Sequence, residues 1–126
     1  MSFTGFKEWH LYQLSSGEQE IQEVSENQLD ERILIMGSGV LECLIAIDLA
    51  ERGKEVVLVE KSDELLLECL ASPKRAELMR KLEQLVVTIF LETPYIEVLK
   101  NQVCLRNQEG FETYFKMDNI IVSKKR

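Results

Sequence analysis

The sequence predicts an α/β fold, a parallel sheet with a βαβαβ core, followed by a three-stranded antiparallel meander and one final strand. Three observations predict it. A run of strand formers, Ile33–Met36, stops at the glycine pair Gly37 and Gly39 and gives way at once to an apolar helical stretch, Val40–Glu51. A second strand-like run, Val56–Val59, completes a unit of about 28 residues, close to the length of one β-α-β crossover. From Tyr95 onward the apolar period switches to two, and short strand-like runs alternate with tight turns.

Residues 1–31 read as an appendage whose order the sequence leaves open, and residues 32–126 as the folded domain. Within the appendage, Trp9–Leu14 alternates well enough for a strand or a docked extended arm. Gly17–Glu31 is rich in Glu, Gln, Ser and Asn, and its apolar residues Ile21, Val24 and Leu29 are too few for an independent helix. The spacing of Ile21 and Val24 suits a single docked turn. Phe3, Phe6, Trp9 and Tyr12 recur at every third position, which on a short helix would align them along one face. Such an arm serves either to dock a partner or to cover the domain's own sheet.

The elements of the domain follow in order. Ile33–Met36 is apolar throughout, as suits a parallel strand covered on both faces. The helix after it is apolar nearly all round, at Val40, Leu41, Leu44, Ile45, Ile47 and Leu49, so it packs deeply against the sheet. Arg52-Gly53-Lys54 closes it with a glycine at the carboxyl cap. A second helix spans Lys74–Leu85, with Pro73 in its first turn, where a missing N–H is harmless. A third strand is expected at Val86–Phe90. The meander strands are Tyr95–Leu99, Gln102–Arg106 and Glu112–Lys116, joined by Lys100-Asn101 and Asn107–Gly110, and Ile120–Val122 returns to the parallel sheet.

Composition narrows the function classes. With 126 residues there is room for one core, and 45% hydrophobic with 29% charged residues is ordinary for a soluble domain. No apolar run approaches the roughly 20 residues that span a bilayer, and the amino terminus lacks a secretory pattern, so no membrane partner and a cytoplasmic setting are expected. A net charge of −7 argues against nucleic acid, since the one basic cluster is Lys124-Lys125-Arg126 at the end of the sequence. Cys43, Cys69 and Cys104 form no closely spaced pair, and His10 is the only histidine. Structural cysteines and no metal centre are therefore expected.

Chemistry concentrates in Gly37-Ser38-Gly39-Val40-Leu41-Glu42, between a strand and a helix. In that setting a Gly-x-Gly turn is a Rossmann-like phosphate-binding element. The first glycine permits the tight turn, the second lets backbone approach a pyrophosphate, and the helix start offers free N–H groups and a positive dipole end. Candidate contacts are the backbone at Gly37, Ser38, Gly39 and Val40. Glu60 lies 23 positions after Gly37 (60 − 37) at the end of the second strand. An acid there accepts hydrogen bonds from an adenosine ribose and repels a 2′-phosphate, favouring NAD over NADP. A bare strand-end carboxylate is the plain alternative. No catalytic residue and no metal ligand is proposed.

Residues 33–122 resemble the NAD-binding domain of pyridine nucleotide-disulfide oxidoreductase-like flavoproteins. The likeness is greatest to the carboxy-terminal nucleotide-binding region of the 2,4-dienoyl-CoA reductase and NADH:flavin oxidoreductase (old yellow enzyme-like) group. It is carried by ILIMGSGVLECLIAIDLAERGKEVVLVEKSDELL, by KRAELMRKLEQL and by VVTIFLETPYIEVLKNQVCLRNQEG. The family pattern GxGxxGxExA retains Gly37, Gly39 and Ala46 here, and its strand-end acid falls on Glu60. The resemblance implies a domain that binds NADH or ADP and passes hydride to a flavin held by a separate FAD-containing domain or subunit.

Two positions depart from that pattern. Its third glycine is Glu42 and its helix glutamate is Leu44. Two unit charges about 4 Å apart repel by roughly 4 kcal/mol at an effective dielectric of 20, so Glu42 opposes pyrophosphate if it faces the site. In the first turn of a helix the same carboxylate is stabilised by the dipole and stands in for a phosphate. Two functions therefore follow, the first the leading expectation and the second its alternative. One is a nucleotide module of a flavoprotein oxidoreductase, not catalytic alone and holding no FAD itself. The other is a degenerate Rossmann scaffold serving interaction or assembly, with homodimers as one form. Methyltransferases do not account for the meander, and a short-chain dehydrogenase needs a YxxxK pair that is missing.

Overall fold

A computed structural model describes residues 9–14, 21–66, 71–99 and 102–123. Phe3, Phe6, Cys69, the Lys100-Asn101 turn and the basic cluster at 124–126 lie outside the described residues. The elements are β1 (Trp9–Leu14), β2 (Ile21–Glu23), β3 (Arg32–Met36), α1 (Val40–Glu51), β4 (Glu55–Val59), α2 (Pro73–Gln84), β5 (Thr88–Phe90), β6 (Tyr95–Leu99), β7 (Gln102–Arg106), β8 (Glu112–Lys116) and β9 (Asn119–Ser123). A six-stranded sheet runs in the order β2-β1-β9-β3-β4-β5, and β6-β7-β8 form a separate antiparallel sheet. β9, β3, β4 and β5 are mutually parallel, while β1 is antiparallel to both β9 and β2.

Three layers result, and the pleat of the large sheet explains them. Ile33, Ile35, Val56, Leu58 and Ile121 turn to one face and pack with Ile45, Leu49, Leu78 and Leu82 of the two helices. Leu34, Val57, Val59 and Ile120 turn to the other and pack against Val103 and Leu105 of the meander. A strand covered on both faces has no use for polar alternation, hence the unbroken apolar runs of β3 and β4. Each fully buried aliphatic side chain contributes about 1.5–3 kcal/mol relative to exposure.

The predicted α/β architecture is therefore present, with the three meander strands at their expected bounds. Differences fall at element ends and in the first stretch of chain. Trp9 and Tyr12 lie in strand β1, so no helical face aligns them, and Trp9 and Leu11 are buried in the helix-side core. Ile21 begins a strand and not a docked turn, because Ile21–Glu23 hydrogen-bonds along β1. The second helix starts at Pro73, one residue early, with the Ser72 hydroxyl accepting the Lys74 amide at 3.1 Å.

Val86 and Val87 are not strand, although their β-branched side chains favour it. They end α2 in a Schellman turn, with Val87 N donating to Leu82 O at 3.1 Å and Val86 N to Glu83 O at 3.2 Å. The same turn ends α1, where Lys54 N reaches Leu49 O at 3.2 Å and Gly53 N reaches Ala50 O at 3.0 Å. It demands a left-handed residue, and Gly53 (φ 87°) supplies one freely whereas Val86 (φ 58°) does so under strain.

Polar stitching ties the strands β1 and β9 to the rest. Asn119 is fully buried; its side-chain carbonyl accepts the Asp30 amide at 2.7 Å and its NH₂ donates to Tyr12 O at 3.2 Å. Asp118 accepts the Arg32 amide at 2.9 Å, and the Lys54 ammonium donates to the carbonyls of Leu29 and Asp30 at 3.3 and 2.8 Å.

Candidate functional site

The glycine turn sits at the carboxyl end of β3, where open parallel sheets place their ligand crevice. Gly37 takes a φ of 106°, a value that side chains rarely tolerate, and its N–H donates to Val59 O at 2.8 Å. That bond joins the turn to the neighbouring strand β4. Gly39 is the N-cap of α1 in extended conformation, and its carbonyl accepts the Cys43 amide at 3.0 Å. Between them Ser38 is buried, 3% exposed, and its carbonyl accepts the Leu66 amide at 3.0 Å and the Cys43 thiol at 3.7 Å. The expected strand-turn-helix is thus built in full.

Glu42 is the third residue of α1, and its side chain folds back on the turn. Its Oε1 accepts the Gly39 amide at 3.2 Å, the reciprocal half of a capping box. A half-buried carboxylate thereby sits at the positive end of the helix dipole. The amide it engages is one of those expected to receive a pyrophosphate.

Glu60 follows β4 and is buried, 9% exposed. Its backbone is clamped between neighbours, with its N–H donating to Phe90 O at 2.8 Å and its carbonyl accepting the Thr93 amide at 3.0 Å. Its carboxylate turns toward the glycine turn. Oε1 accepts the Ser38 hydroxyl at 2.5 Å, and Oε2 accepts the Ser62 amide at 2.8 Å. The fold therefore brings Glu60 together with the four turn residues. It does so through Ser38, however, which was expected to act through its backbone.

The segment just beyond Glu60 closes over the turn. Leu65 and Leu66 are buried in the helix-side core, and Leu66 holds a left-handed φ of 55° while bonding Ser38. Glu92, at the same edge, is also left-handed at 52°, with its amide on Ser62 O at 2.8 Å. Ser62 and Leu66 carried no legible signal, because Lys61-Ser62-Asp63 reads as any polar loop. A cavity of about 80 Å³ lies beside the turn, lined by Gly37, Glu60, Thr93, Pro94 and neighbours. Small-molecule sites usually measure about 300 Å³ or more.

A second polar group lies on the outer face of the meander. Arg106 donates to Glu112 at 2.8 Å and stacks over the Tyr95 ring, 4.4 Å from its centroid. The hydrogen bond with Arg106 holds the Glu112 carboxyl below its ordinary range and the Arg106 guanidinium above its own. Cys104 lies buried beneath Glu112 and Tyr114, and its hydrogen bond pushes the Tyr114 phenol upward. Cys43 and Cys104 are both buried. Among the described residues there is no group of three metal-ligating side chains, and no helix is long and apolar enough to cross a membrane.

Known proteins agree with this architecture. The chain is similar to 2-naphthoyl-CoA reductase in complex with 2-naphthoyl-CoA (TM-score 0.67, 19% identity, 77% of this chain and 14% of that one). Thioredoxin reductase from T. acidophilum superposes with a TM-score of 0.59 at 15% identity, over 74% of this chain and 30% of that one. Histamine dehydrogenase from Rhizobium sp. 4-9 gives 0.55 at 16%, over 75% and 15%. At such identities the likeness concerns the fold, and the chain spans less than a third of each of these structures. A comparison with curated proteins gives no match. The sequence pattern of the pyridine nucleotide-disulphide oxidoreductase family matches residues 7–124. Strand-turn-helix, meander and family pattern thus coincide over nearly the whole sequence, and the chain belongs to the pyridine nucleotide-disulphide oxidoreductase family.

Proposed function

We propose that this chain is a scaffold of that family whose dinucleotide site is filled by its own acids, and that it works as an interaction or assembly domain. The observation that carries the reading is the Glu42 carboxylate on the Gly39 amide at 3.2 Å, where a pyrophosphate oxygen would lie. Glu60 supports it, since both of its carboxylate oxygens accept hydrogen bonds from Ser38 and Ser62 in place of a ribose. Exposed apolar and aromatic side chains support the assembly role. Phe111 is 68% exposed and lines one hollow with Leu91, while Tyr95 and Tyr114 are exposed on the meander.

The test is calorimetric titration of the chain with NADH and with ADP. No saturable heat at millimolar ligand is expected for the wild type, and binding is expected to emerge in Glu42→Gly. Wild-type saturation in the micromolar range would overturn the reading. It would favour the competing one, a nucleotide module working beside a FAD-containing domain, which draws on the Gly37 φ of 106° and on Glu60 at the strand end. Sedimentation of the wild type and of Phe111→Asp then examines assembly, with dissociation of a dimer or larger species expected in the variant.

A further inference from the structure

A sizeable trough lies at the opposite end of the parallel strands from the glycine turn. It encloses about 450 Å³ beneath the start of β4 and β5, against about 80 Å³ beside Gly37. We propose that this trough binds a small amphipathic carboxylate, an aryl or medium-chain acyl acid. Its volume falls within the usual range for small-molecule sites, about 300–1,000 Å³. Apolar walls come from both cores, with Leu85 and Val87 from the helix side and Val57 and Phe115 from the meander side.

The charges around it select the head group. Arg32, Lys54 and Lys116 line the trough against one acid, Glu55, in a chain of net charge −7. Arg32 meets Asp118 at 3.5 Å, a long contact that offsets part of its charge. Lys54 bonds the carbonyls of Leu29 and Asp30, which are neutral, and it forms no ion pair among the described residues. An anion at the mouth and a hydrocarbon tail against the walls satisfy both halves of this lining.

Val86 is an independent sign. It lines the trough, is 83% exposed, and holds a left-handed φ of 58° at the position where α1 uses Gly53. A β-branched residue is an expensive choice there, and strain kept against an easy glycine points to a contact that glycine cannot make. Val86 forms the apolar lip over the tail.

Octanoate and 1-octanol are the probes, titrated against the full chain with amide NMR shifts as the readout. Octanoate should saturate, with shifts at β4, β5 and β8, and 1-octanol should bind about tenfold more weakly. Lys116→Glu should weaken octanoate severalfold. Val86→Gly should raise Tm yet also weaken octanoate. Failure to saturate, shifts centred on the glycine turn, equal affinity for 1-octanol, or unchanged affinity in both variants would each overturn the proposal.

Discussion

The Ser38 hydroxyl donates to Oε1 of Glu60 at 2.5 Å, locking the glycine turn to the end of the neighbouring strand. Both residues are buried, so the bond is made in a setting of low dielectric. Ser38→Ala strips a donor from a buried carboxylate and is expected to lower stability by about 1–3 kcal/mol. Urea denaturation checks this, and a change within about 0.5 kcal/mol would mean that the turn does not depend on the bond.

Glu42 stabilises the helix that it caps. Glu42→Gln keeps an acceptor for the Gly39 amide but loses the charge at the dipole, and about 0.3–1 kcal/mol of stability should go with it. The loss should shrink in high salt, because the side chain is only half buried.

Val86 and Gly53 occupy equivalent positions after α2 and α1, at φ of 58° and 87°. Val86→Gly should therefore stabilise the protein by roughly 1 kcal/mol, and Gly53→Val should destabilise it by about 1–2 kcal/mol. Thermal melts of the pair give the test, and a destabilising Val86→Gly would show that the valine side chain matters to packing.

The meander cluster titrates in opposite directions. Glu112, with its folded pKa lowered by the Arg106 hydrogen bond, adds stability above the ordinary glutamate range that drains away as pH falls through its folded value. Tyr114, with its folded pKa raised by the Cys104 hydrogen bond, adds stability below the ordinary tyrosine range that is lost as pH rises through its folded value. Cys104→Ala should bring tyrosinate formation to lower pH in an ultraviolet titration, and Arg106→Gln should return Glu112 to the ordinary carboxyl range by NMR. Unchanged titration in either variant would contradict the assignment.

Buried Asn119 offers a further site for substitution. Asn119→Leu leaves the Asp30 amide and the Tyr12 carbonyl without their side-chain partner. A loss of about 2–4 kcal/mol is expected in urea denaturation.

Much of this fold was legible because it is written locally. The Gly37 turn, the α1 helix and the alternation of β6, β7 and β8 depend on near neighbours, and the structure has them where the residue pattern puts them. Val86 and Val87 misled for the opposite reason. Their strand propensity is overridden by the need to end α2 and turn the chain into β5. The strand character of Ile21–Glu23 was illegible too, since it comes from pairing with β1. At the site, spacing located Glu60 and the turn, but side-chain direction was out of reach. That Glu60 bends toward Ser38 depends on the Ser62 and Leu66 segment beside it, while Glu42 reaches back to Gly39 within its own helix end.

The placement of β9 between β1 and β3 bears on how the chain reaches this state. On a ribosome β3, α1, β4 and β5 emerge early and can form their parallel wing from contacts close in sequence. β1 precedes them in sequence, yet its sheet neighbours are β2 and β9, so the β1–β2 pair has no strand pairing with the wing until residues 119–123 arrive. Trp9 and Leu11 wait with it, apolar and uncovered. β9 thus joins β1 to the parallel strands, and a chain lacking residues 119–123 would have a sheet edge exposed on β3.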